Sequence, residues 1–330
     1  RNGTAVPGAT QRILRAVALT TAHGSSYTVV ATNSAGSTTS DAASITMLTS
    51  VSPSSLTFAA TRSGLTGPLV KVTSPQAVTI AYAGPGMPGW TATSNQPWLT
   101  VSPPSGSGTA EVTLTVGNPG NVLNGQTSAS AIVTITSSGI ATTVTASLSI
   151  RPAGTTVPPV GQFETPALNA TLQGAIAVSG WVVDDIGIAT VKIYRTCQAS
   201  DVPSNCQSAV YSGAPSLVFV GDAVFVPGAR PDVEAAFSQY PASQVAGWGY
   251  LLLTNMLPRT TGAPASTGGQ GPIDLYAVAT DLEGNAVGLP RSWDQAVQPT
   301  GVILDNDAIA KPFGAIDTPA QGGVVSGTAY

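Results

Sequence analysis

Residues 89–116 read GWTATSNQPWLTVSPPSGSGTAEVTLTV. The end of this stretch alternates apolar and polar side chains through Val112, Leu114 and Val116, and its middle is a run of Ser, Pro and Gly that favours a turn. The same alternation recurs on both sides of it, at Leu56 and Phe58, at Val78, Ile80 and Tyr82, at Val133 and Ile135, and at Val144, Ala146 and Leu148. Such alternation predicts antiparallel strands with one buried face, so residues 50–150 are predicted to form a β-sandwich.

The same stretch carries a family resemblance. It is similar to BACON modules, β-sandwiches named for a proposed carbohydrate-binding role in gut bacteria. The resemblance rests on Trp90, Ser94, Asn95, Trp98, Leu99, Val101, Pro103 and Gly106. It implies a BACON-like β-sandwich over residues 50–150, in which the matching residues themselves look structural.

A second signal is an internal repeat. Residues 161–180 (GQFETPALNATLQGAIAVSG) return in shortened form at 314–327 (GAIDTPAQGGVVSG). A domain-opening sequence that recurs about one domain length later is typical of a modular array. We therefore predict one domain over residues 161–307 and the start of the next repeat over 312–330. We expect the chain to be part of a longer modular protein.

Residues 1–48 are predicted to be the C-terminal part of an immunoglobulin-like domain. Alternation through Tyr27, Val29 and Ala31 is followed by a turn at 33–36, where Asn and Gly tolerate a positive φ. Tyr27 occupies the position of the tyrosine corner, two residues before the position of the second immunoglobulin cysteine. That second position is Val29 here. The segment resembles the I-set type immunoglobulin-like modules of bacterial surface proteins.

The predicted domain over 161–307 follows a linker at 151–160 that is rich in Pro and Thr. Its strand candidates are 176–183, 189–194, 217–225 and 273–280. Residues 281–289 (DLEGNAVGL) predict a hairpin turn that is closed by Gly and Asn. The stretch 226–272 is rich in Pro and Gly, and we expect an elaborated loop there, with one helical turn around 233–237.

Four pieces of sequence give this domain a resemblance of its own. They are GWVVDDIGIATVKIY (180–194), VPGARPDV (226–233), GWGYLLLTNMLP (247–258) and KPFGAIDTP (311–319). They are similar to a repeated bacterial immunoglobulin-like domain found in large secreted proteins of environmental bacteria. Together the three resemblances imply an all-β fold class, with tandem immunoglobulin-like β-sandwiches joined by short linkers.

Composition excludes several classes of protein. Only 8% of the residues are charged, the apolar fraction is 42%, and the net charge is −4, which is not the composition of a disordered chain. Residues 1–150 hold five basic and two acidic side chains, whereas 151–330 hold seven basic and fourteen acidic ones. Neither half has the basic stripe that nucleic-acid binding requires. Apolar runs are too short to span a membrane, so we expect no membrane insertion in this segment.

The two cysteines, Cys197 and Cys206, lie nine residues apart. A metal site would need further Cys or His ligands nearby, and the only histidine, His23, belongs to another predicted module. A disulfide that closes a short loop needs no other residue and suits an extracellular chain. We predict the disulfide, with the metal site as the alternative, and an extracellular or bacterial cell-surface location.

Catalytic patterns are missing from the sequence. A single histidine cannot complete a Ser–His–Asp set within the complete domains, and no G-x-S-x-G, H-E-x-x-H or phosphate-binding glycine loop is present. Most carboxylates in the 161–307 domain fall in predicted turns, where Asp hydrogen-bonds its own backbone. We therefore expect a segment that is not an enzyme.

A calcium site is the next candidate. Asp305 and Asp307, in the run LDND (304–307), lie where one predicted domain ends and the next begins. Cadherin-type arrays place acidic residues at such junctions, and carboxylate oxygens are ligands that Ca²⁺ prefers. The alternative is a solvated turn that binds no ion. Calcium is the only cofactor that the sequence offers.

Exposed aromatic side chains would be the mark of a carbohydrate site, and the candidates are Trp248, Tyr250 and Trp98. Core packing is the alternative for each of them, because large aromatic side chains usually bury 150–250 Å². Two functions follow from these alternatives. The first is a structural or adhesive segment of a secreted or surface protein, and the second is a carbohydrate-binding accessory region. Possible partners are a glycan, a surface protein and the neighbouring repeats of the chain.

Overall fold

The computed structural model describes residues 1–11, 13, 25–45, 48–83, 87–137, 139–155, 157–261, 268–292 and 296–308. The chain divides into two compact units, Arg1–Ala153 and Gly154–Tyr330. The predicted next repeat at 312–330 lies outside the described residues. No helix in the described part is long and apolar enough to cross a membrane.

Two small ladders come first in the chain. Their strands are β1 (Ser25–Tyr27), β2 (Val30–Asn33), β3 (Gly36–Thr39) and β4 (Ala43–Ile45). β1 pairs antiparallel with β4, and β2 with β3. The Asn33 side chain accepts hydrogen bonds from the backbone N–H groups of Ala35 (2.8 Å) and Gly36 (3.2 Å). This confirms the predicted turn at 33–36.

The next strands form the first sandwich. In the described part they are β5 (Leu48–Ser52), β6 (Ser55–Arg62), β7 (Leu69–Val72), β8 (Gln76–Ala83), β9 (Gly89–Ser94), β10 (Leu99–Ser102), β11 (Ser105–Ser107), β12 (Ala110–Val116), β13 (Ser128–Ser137) and β14 (Ile140–Pro152). One sheet has the strand order β10-β12-β8-β5 and the other β11-β9-β13-β14-β6-β7. β6 and β14 run parallel, which corrects the expectation of wholly antiparallel strands. Alternation reports which face of a strand is buried and carries no information about strand direction.

The predicted alternating residues form the core between these two sheets. Leu56, Phe58, Val112 and Leu114 are all buried. The opposite faces of the same strands carry mainly Ser and Thr, which are exposed along most of β14. The period-two prediction of one buried face is therefore confirmed.

The second sandwich begins at Val160, so that residues 153–159 connect it to the end of β14. Its elements are β15 (Val160–Thr165), β16 (Thr171–Leu172), β17 (Ala175–Val183), β18 (Ile188–Thr196), β19 (Cys206–Gln207), β20 (Leu217–Asp222), β21 (Val224–Phe225), α1 (Pro231–Ala236), β22 (Gly247–Leu253), β23 (Gln270–Asp281), β24 (Ala286–Gly288) and β25 (Thr300–Asp305). One sheet has the order β15-β17-β22-β21. The other has the order β16-β25-β23-β18-β20-β19, with β24 on β23.

Two sequence expectations for this sandwich were wrong. The stretch 226–272 is not one elaborated loop, because it contains β22, which lies between β17 and β21. The glycines of β22 hid its alternation, and at Gly247 a side chain would meet Ala229 and Arg230 at 3.0 Å. The single strand predicted at 217–225 is two strands, β20 and β21, that belong to different sheets. The helical turn expected near 233–237 is confirmed by α1.

Both sheets of the second sandwich carry a small second core. Trp181 and Val183 of one sheet pack with Val233 of α1, and Phe237 and Tyr240 extend this cluster. On the other sheet, Tyr194, Leu217, Tyr276 and Val278 pack with Val210 and Tyr211 from the segment that joins β19 to β20. Insertions therefore cover parts of both sheets. The fold class is all-β, with tandem immunoglobulin-like β-sandwiches.

Candidate functional site

The three aromatic carbohydrate candidates lie within the two sandwiches. Trp98 and Trp248 are each 2% exposed. The Trp248 ring packs against Phe163 with 5.9 Å between ring centroids, and a side chain at Gly180 would meet it at 2.6 Å. Tyr250 is half-buried, and its hydroxyl donates to the Val220 carbonyl oxygen at 3.4 Å. The two indole rings are core residues here, and neither offers an open face on which a sugar ring stacks.

The two calcium candidates are held by neighbouring side chains. The Asp307 carboxylate accepts hydrogen bonds from Nη1 (2.8 Å) and Nη2 (2.6 Å) of Arg259, and this pairing lowers the pKa of Asp307. Asp305 Oδ1 accepts a hydrogen bond from Nε2 of Gln270 at 3.2 Å. The Asp307 charge is therefore already balanced by a guanidinium group.

Asn306, between these two carboxylates, fastens the end of the sandwich. It is 6% exposed, and its Oδ1 accepts hydrogen bonds from the Gly174 backbone N–H (3.0 Å) and the Thr254 hydroxyl (2.8 Å). Its Nδ2 donates to the Gly269 carbonyl oxygen at 2.6 Å. The Asn306 side chain thus links separate loops, and we call these contacts the Asn306 clasp. The sequence had offered the two neighbouring carboxylates as candidates and not this amide.

Two other aspartates anchor loops where strands end: Asp184 directly follows β17, and Asp281 is the last residue of β23. Asp184 Oδ2 accepts hydrogen bonds from the backbone N–H groups of Ile186 (2.9 Å) and Gly187 (2.8 Å). Asp281 Oδ1 accepts three backbone hydrogen bonds, from residues 283–285. The loops touch where the Leu282 N–H donates to the Gly187 carbonyl oxygen at 2.9 Å. These contacts confirm the predicted hairpin turn and give both carboxylates a structural role.

The Asp184 carboxyl group is buried and has a raised pKa. It is 1% exposed, and its Oδ1 has no hydrogen-bond partner among the described residues. Burial raises its pKa to about 6, the two backbone hydrogen bonds oppose that rise, and the charges of Asp185 and Asp281 add to it. Such a carboxyl group takes up a proton well above the usual pH range of an aspartate.

The cysteines form the predicted disulfide, with 5.6 Å between their Cα atoms. We call residues 197–206 the stapled loop. Its first cysteine follows β18, where its N–H donates to the Ser216 carbonyl oxygen at 3.0 Å, and its second belongs to β19, opposite Val218 of β20. The backbone on both sides of the disulfide is therefore held by the sheet.

An ion pair that was not predicted from the sequence joins this loop to β18. Nη1 and Nη2 of Arg195 donate to the two carboxylate oxygens of Asp201, at 2.6 and 2.5 Å. The exposed fractions of the side chains are 9% and 11%, respectively. The Gln198 N–H donates to the same carboxylate at 2.7 Å. These bonds lower the pKa of Asp201, led by the bond from Arg195. The clue in the sequence was an arginine that lies two residues before the first cysteine and six before an aspartate.

One set of potential metal ligands emerges from this geometry. In the described part of the chain, Cys197, Asp201 and Cys206 are the only group of three or more Cys, His, Asp or Glu residues whose ligand atoms lie within 4.8 Å of one another. The two sulfur atoms are bonded to each other, so the disulfide occupies the place of a metal in this oxidised state.

A groove of about 460 Å³ lies on the first sandwich. Trp98 and Leu123 form its buried part, and the side chains around it include Gln96, Gln126 and Ser128. All of the residues that line this groove are uncharged. The groove can therefore take a neutral polar ligand, although the Trp98 ring belongs to the core.

Comparisons with known proteins give little beyond these observations. The chain matches no family model and no curated protein. One similar solved structure is a Bacteroides ovatus GH5 xyloglucanase in complex with a XXXG heptasaccharide, with 19% identity and a TM-score of 0.26, covering 39% of this chain and 27% of that chain. Domains 5–6 of the S-layer protein SbsC reach 11% identity and a TM-score of 0.25, covering 85% and 99%.

A chimeric titin Z1Z2 tandem gives similar values. Its identity is 12% and its TM-score 0.25, covering 79% of this chain and 99% of that chain. At such TM-scores the functions of these three proteins carry no weight for this one.

Proposed function

We propose that this chain is a non-catalytic structural or adhesive segment of a large modular protein that is secreted or displayed on a bacterial cell surface. Its work is to hold neighbouring repeats of the same chain and, through its surface loops, to contact a surface protein or a glycan. The proposal includes no role for nucleic acid and no membrane insertion.

The observation that carries this proposal is the use of reactive and aromatic side chains to maintain the fold. Asp281 fixes a hairpin turn, Asp307 pairs with Arg259, and Trp248 fills a core. Side chains that are committed to loops and cores rigidify a module. Rigid modules in tandem suit a spacer or an adhesive stalk better than a reaction site.

The disulfide supports the proposed location. A bond between Cys197 and Cys206 persists in oxidising surroundings such as the outside of a cell. Only 8% of the residues are charged, and exposed faces in the first sandwich, such as that of β14, carry mainly Ser and Thr instead. Both features agree with an extracellular location and with the resemblance to surface and secreted modules.

A second candidate function is that of a carbohydrate-binding accessory region. The groove beside Trp98 favours it, because amide and hydroxyl groups without net charge are the partners that a neutral glycan requires. The BACON resemblance of residues 50–150 is compatible with this candidate. For this candidate function, the sugar would contact Gln96, Gln126 and Ser128, and the buried Trp98 would pack beneath the surface of the groove.

A binding screen of the intact chain separates the two candidates. The chain is applied to arrays of neutral polysaccharides and to immobilised bacterial surface proteins, with calcium and with chelator. The structural proposal predicts no retention on polysaccharides and no calcium dependence. Reproducible polysaccharide binding that is lost in Gln96→Ala and Gln126→Ala, and kept in the surface control Gln207→Ala, would replace it by the accessory function.

A further inference from the structure

The stapled loop contains more chemistry than a disulfide. Cys197, Asp201 and Cys206 are half-buried, and their ligand atoms lie within 4.8 Å of one another. Two cysteine sulfurs and one carboxylate oxygen are ligands that Zn²⁺ accepts. A metal site was the alternative to the disulfide in the sequence, where a third ligand near the cysteines was not evident, and Asp201 supplies that ligand from inside the loop.

We propose that, when a dithiol opens the disulfide, the stapled loop binds a thiophilic divalent cation such as Zn²⁺ through Cys197, Cys206 and Asp201. The oxidised loop is closed by the sulfur–sulfur bond, and the reduced loop is closed by the ion. The site is independent of the proposed structural or adhesive function.

The reaction balances in two steps. A dithiol gives up two electrons and two protons, becomes a disulfide itself, and converts the protein disulfide into two thiols. The divalent cation then replaces the two thiol protons, so that each ion bound releases two protons to the solvent. The ion undergoes no redox change, and reoxidation of the thiolates would expel it.

The ligands should remain near each other after reduction, because backbone hydrogen bonds hold the two cysteines and a side-chain ion pair holds Asp201 without the disulfide. The Cys197 N–H is bonded to the Ser216 carbonyl oxygen, and Cys206 is paired with Val218 in the ladder of β19 and β20. Asp201 is held by both Nη atoms of Arg195, which belongs to β18. Three points of attachment on one sheet limit how far the ligands separate.

Arg195 also suits a metal site as the group that orients its carboxylate ligand. Its Nη2 donates to Oδ1 of Asp201, which has a second lone pair for a cation, whereas Oδ2 accepts from both Nη1 of Arg195 and the Gln198 N–H. Hydrogen bonds of this kind to ligating carboxylates are typical of metal sites. Two thiolates, one carboxylate, one guanidinium and one divalent cation sum to zero charge, which reduces the cost of half-burying the site.

The affinity for oxygen-preferring ions should be low. Thiolates are soft ligands that select Zn²⁺ and related ions, whereas Ca²⁺ and Mg²⁺ prefer sets of oxygen atoms. With three protein ligands, the fourth position of a tetrahedral Zn²⁺ would be filled by water.

The bound ion would also hold the end of the segment that follows Cys206. That segment includes Val210 and Tyr211, which pack on the sheet.

The test uses the intact chain, reduced with a phosphine that does not compete for the ion. Co²⁺ is titrated as a spectroscopic probe and is then displaced by Zn²⁺, and proton release is followed in weak buffer. We expect one ion per chain, a thiolate-to-cobalt absorption band, two protons released per ion, and no uptake by the oxidised chain. Cys197→Ser should abolish the absorption band.

Asp201→Asn decides the role of the carboxylate. We expect its Zn²⁺ affinity to fall by at least about tenfold, since even outer-shell changes at metal sites cost 10–100-fold. Asp232→Asn is the matched control, because Asp232 is also paired with an arginine, Arg230, but lies outside the loop. It should leave the affinity unchanged. Equal affinities in Asp201→Asn and the wild type would overturn the proposal.

Protection of the thiols from alkylation tests the site without any substitution. In the reduced wild-type chain, Zn²⁺ should slow the reaction of iodoacetamide with both cysteines, and Mg²⁺ should not. Protection that Mg²⁺ matches, or no protection at all, would contradict the proposal even if Cys197→Ser fails to fold. Far-UV circular dichroism of each sample verifies that the sheets are intact.

Discussion

The two sandwiches hold their loops in different ways. In the first, the buried Arg62 binds the backbone carbonyl oxygens of Leu123 (2.7 Å) and Gln126 (2.7 Å), and the outer face of β14 is covered mainly by Ser and Thr. In the second, aspartates anchor the loops, and insertions cover parts of both sheets. Two of the fourteen acidic side chains in residues 151–330, Asp184 and Asp281, act in this way. The contrast teaches that one sandwich fixes loops through backbone carbonyl groups bound by an arginine, whereas the other fixes them through backbone N–H groups bound by aspartates.

The largest expected effect comes from emptying either core. Phe58 is fully buried in the first sandwich, and Phe163, at 1% exposed, packs against Trp248 in the second. Phe58→Ala and Phe163→Ala should each lower the free energy of unfolding by about 3–5 kcal/mol. Hydrogen exchange read by mass spectrometry during urea unfolding should find the loss in one sandwich only. A loss in both, from either substitution, would mean that the two units unfold together.

The two buried arginines give the next contrast. Arg62→Ala leaves backbone carbonyl oxygens without their donor, which should cost about 3 kcal/mol at any pH between 3 and 7. Arg195→Ala removes the partner of Asp201, whose lowered pKa means that the ion pair stabilises the fold above pH 4 and loses this effect as the pH falls below it.

Urea unfolding of each variant at pH 3 and pH 7 measures the difference between the arginines. The effect of Arg195→Ala should shrink at pH 3, while that of Arg62→Ala stays constant. The reverse pattern would show that the guanidinium of Arg62 is balanced by a carboxylate after all.

Sequence reasoning succeeded where a pattern is local and failed where partners are distant in the chain. The alternation at Leu56 and Phe58 gave the buried face, and the Gly284 turn was readable because every group in it lies within five residues. The clasp at Asn306 joins residues 132 positions apart, from its Oδ1 to the Gly174 N–H. β22 was missed because its glycines interrupt the alternation. At Gly247, the neighbours that leave no room for a side chain, Ala229 and Arg230, are brought near only by the fold.

The surroundings of the candidate site residues could not be read from the sequence for the same reason. Trp98 and Trp248 were candidates because aromatic rings can bind sugars, but sequence alone does not reveal burial. Asp201 was passed over, although it lies between the two cysteines. Its position near the two cysteines depends on the bidentate contact with Arg195. Sequence spacing alone does not reveal such a contact.

The next prediction concerns pH. The pKa of Asp184 is about 6 in the folded chain against an ordinary value of 3.8, so the folded state binds more protons between these values. The stability of the second sandwich therefore falls as the pH rises from about 3.8 to about 6, by roughly 3 kcal/mol for a difference of about two pKa units, and stays constant above that range. Asp184→Asn should remove this part of the pH dependence of the second sandwich.

Urea unfolding at several pH values from 3.5 to 7 tests the prediction for Asp184. The wild type should lose stability across this range relative to Asp184→Asn, and the exposed control Asp222→Asn should follow the wild type. The first sandwich, whose unfolding is followed in the same samples, should be unaffected. Parallel curves for the wild type and Asp184→Asn would mean that the buried carboxyl group is already ionised at acid pH.

The smallest effect is expected for Asp307 at the end of the second sandwich, and its neighbour Asn306 provides the contrast, because Asn306 is buried and Asp307 is exposed. Asn306→Ala breaks buried hydrogen bonds to Gly174, Thr254 and Gly269, and it should lower the melting temperature clearly. Asp307→Asn loses only an exposed ion pair with Arg259, so its melting temperature should stay close to that of the wild type at physiological salt.

Calcium sharpens this last comparison. If Asp307 is only the partner of Arg259, neither calcium nor chelator should change the melting temperature of the wild type or of Asp307→Asn. A calcium-dependent rise in the wild type that is absent from Asp307→Asn would instead mean that the ion competes successfully with the guanidinium group. The end of the domain would then be fixed by an ion as well as by the buried amide of Asn306. Differential scanning calorimetry at low and physiological salt separates this result from simple screening, because screening weakens an exposed pair with any salt.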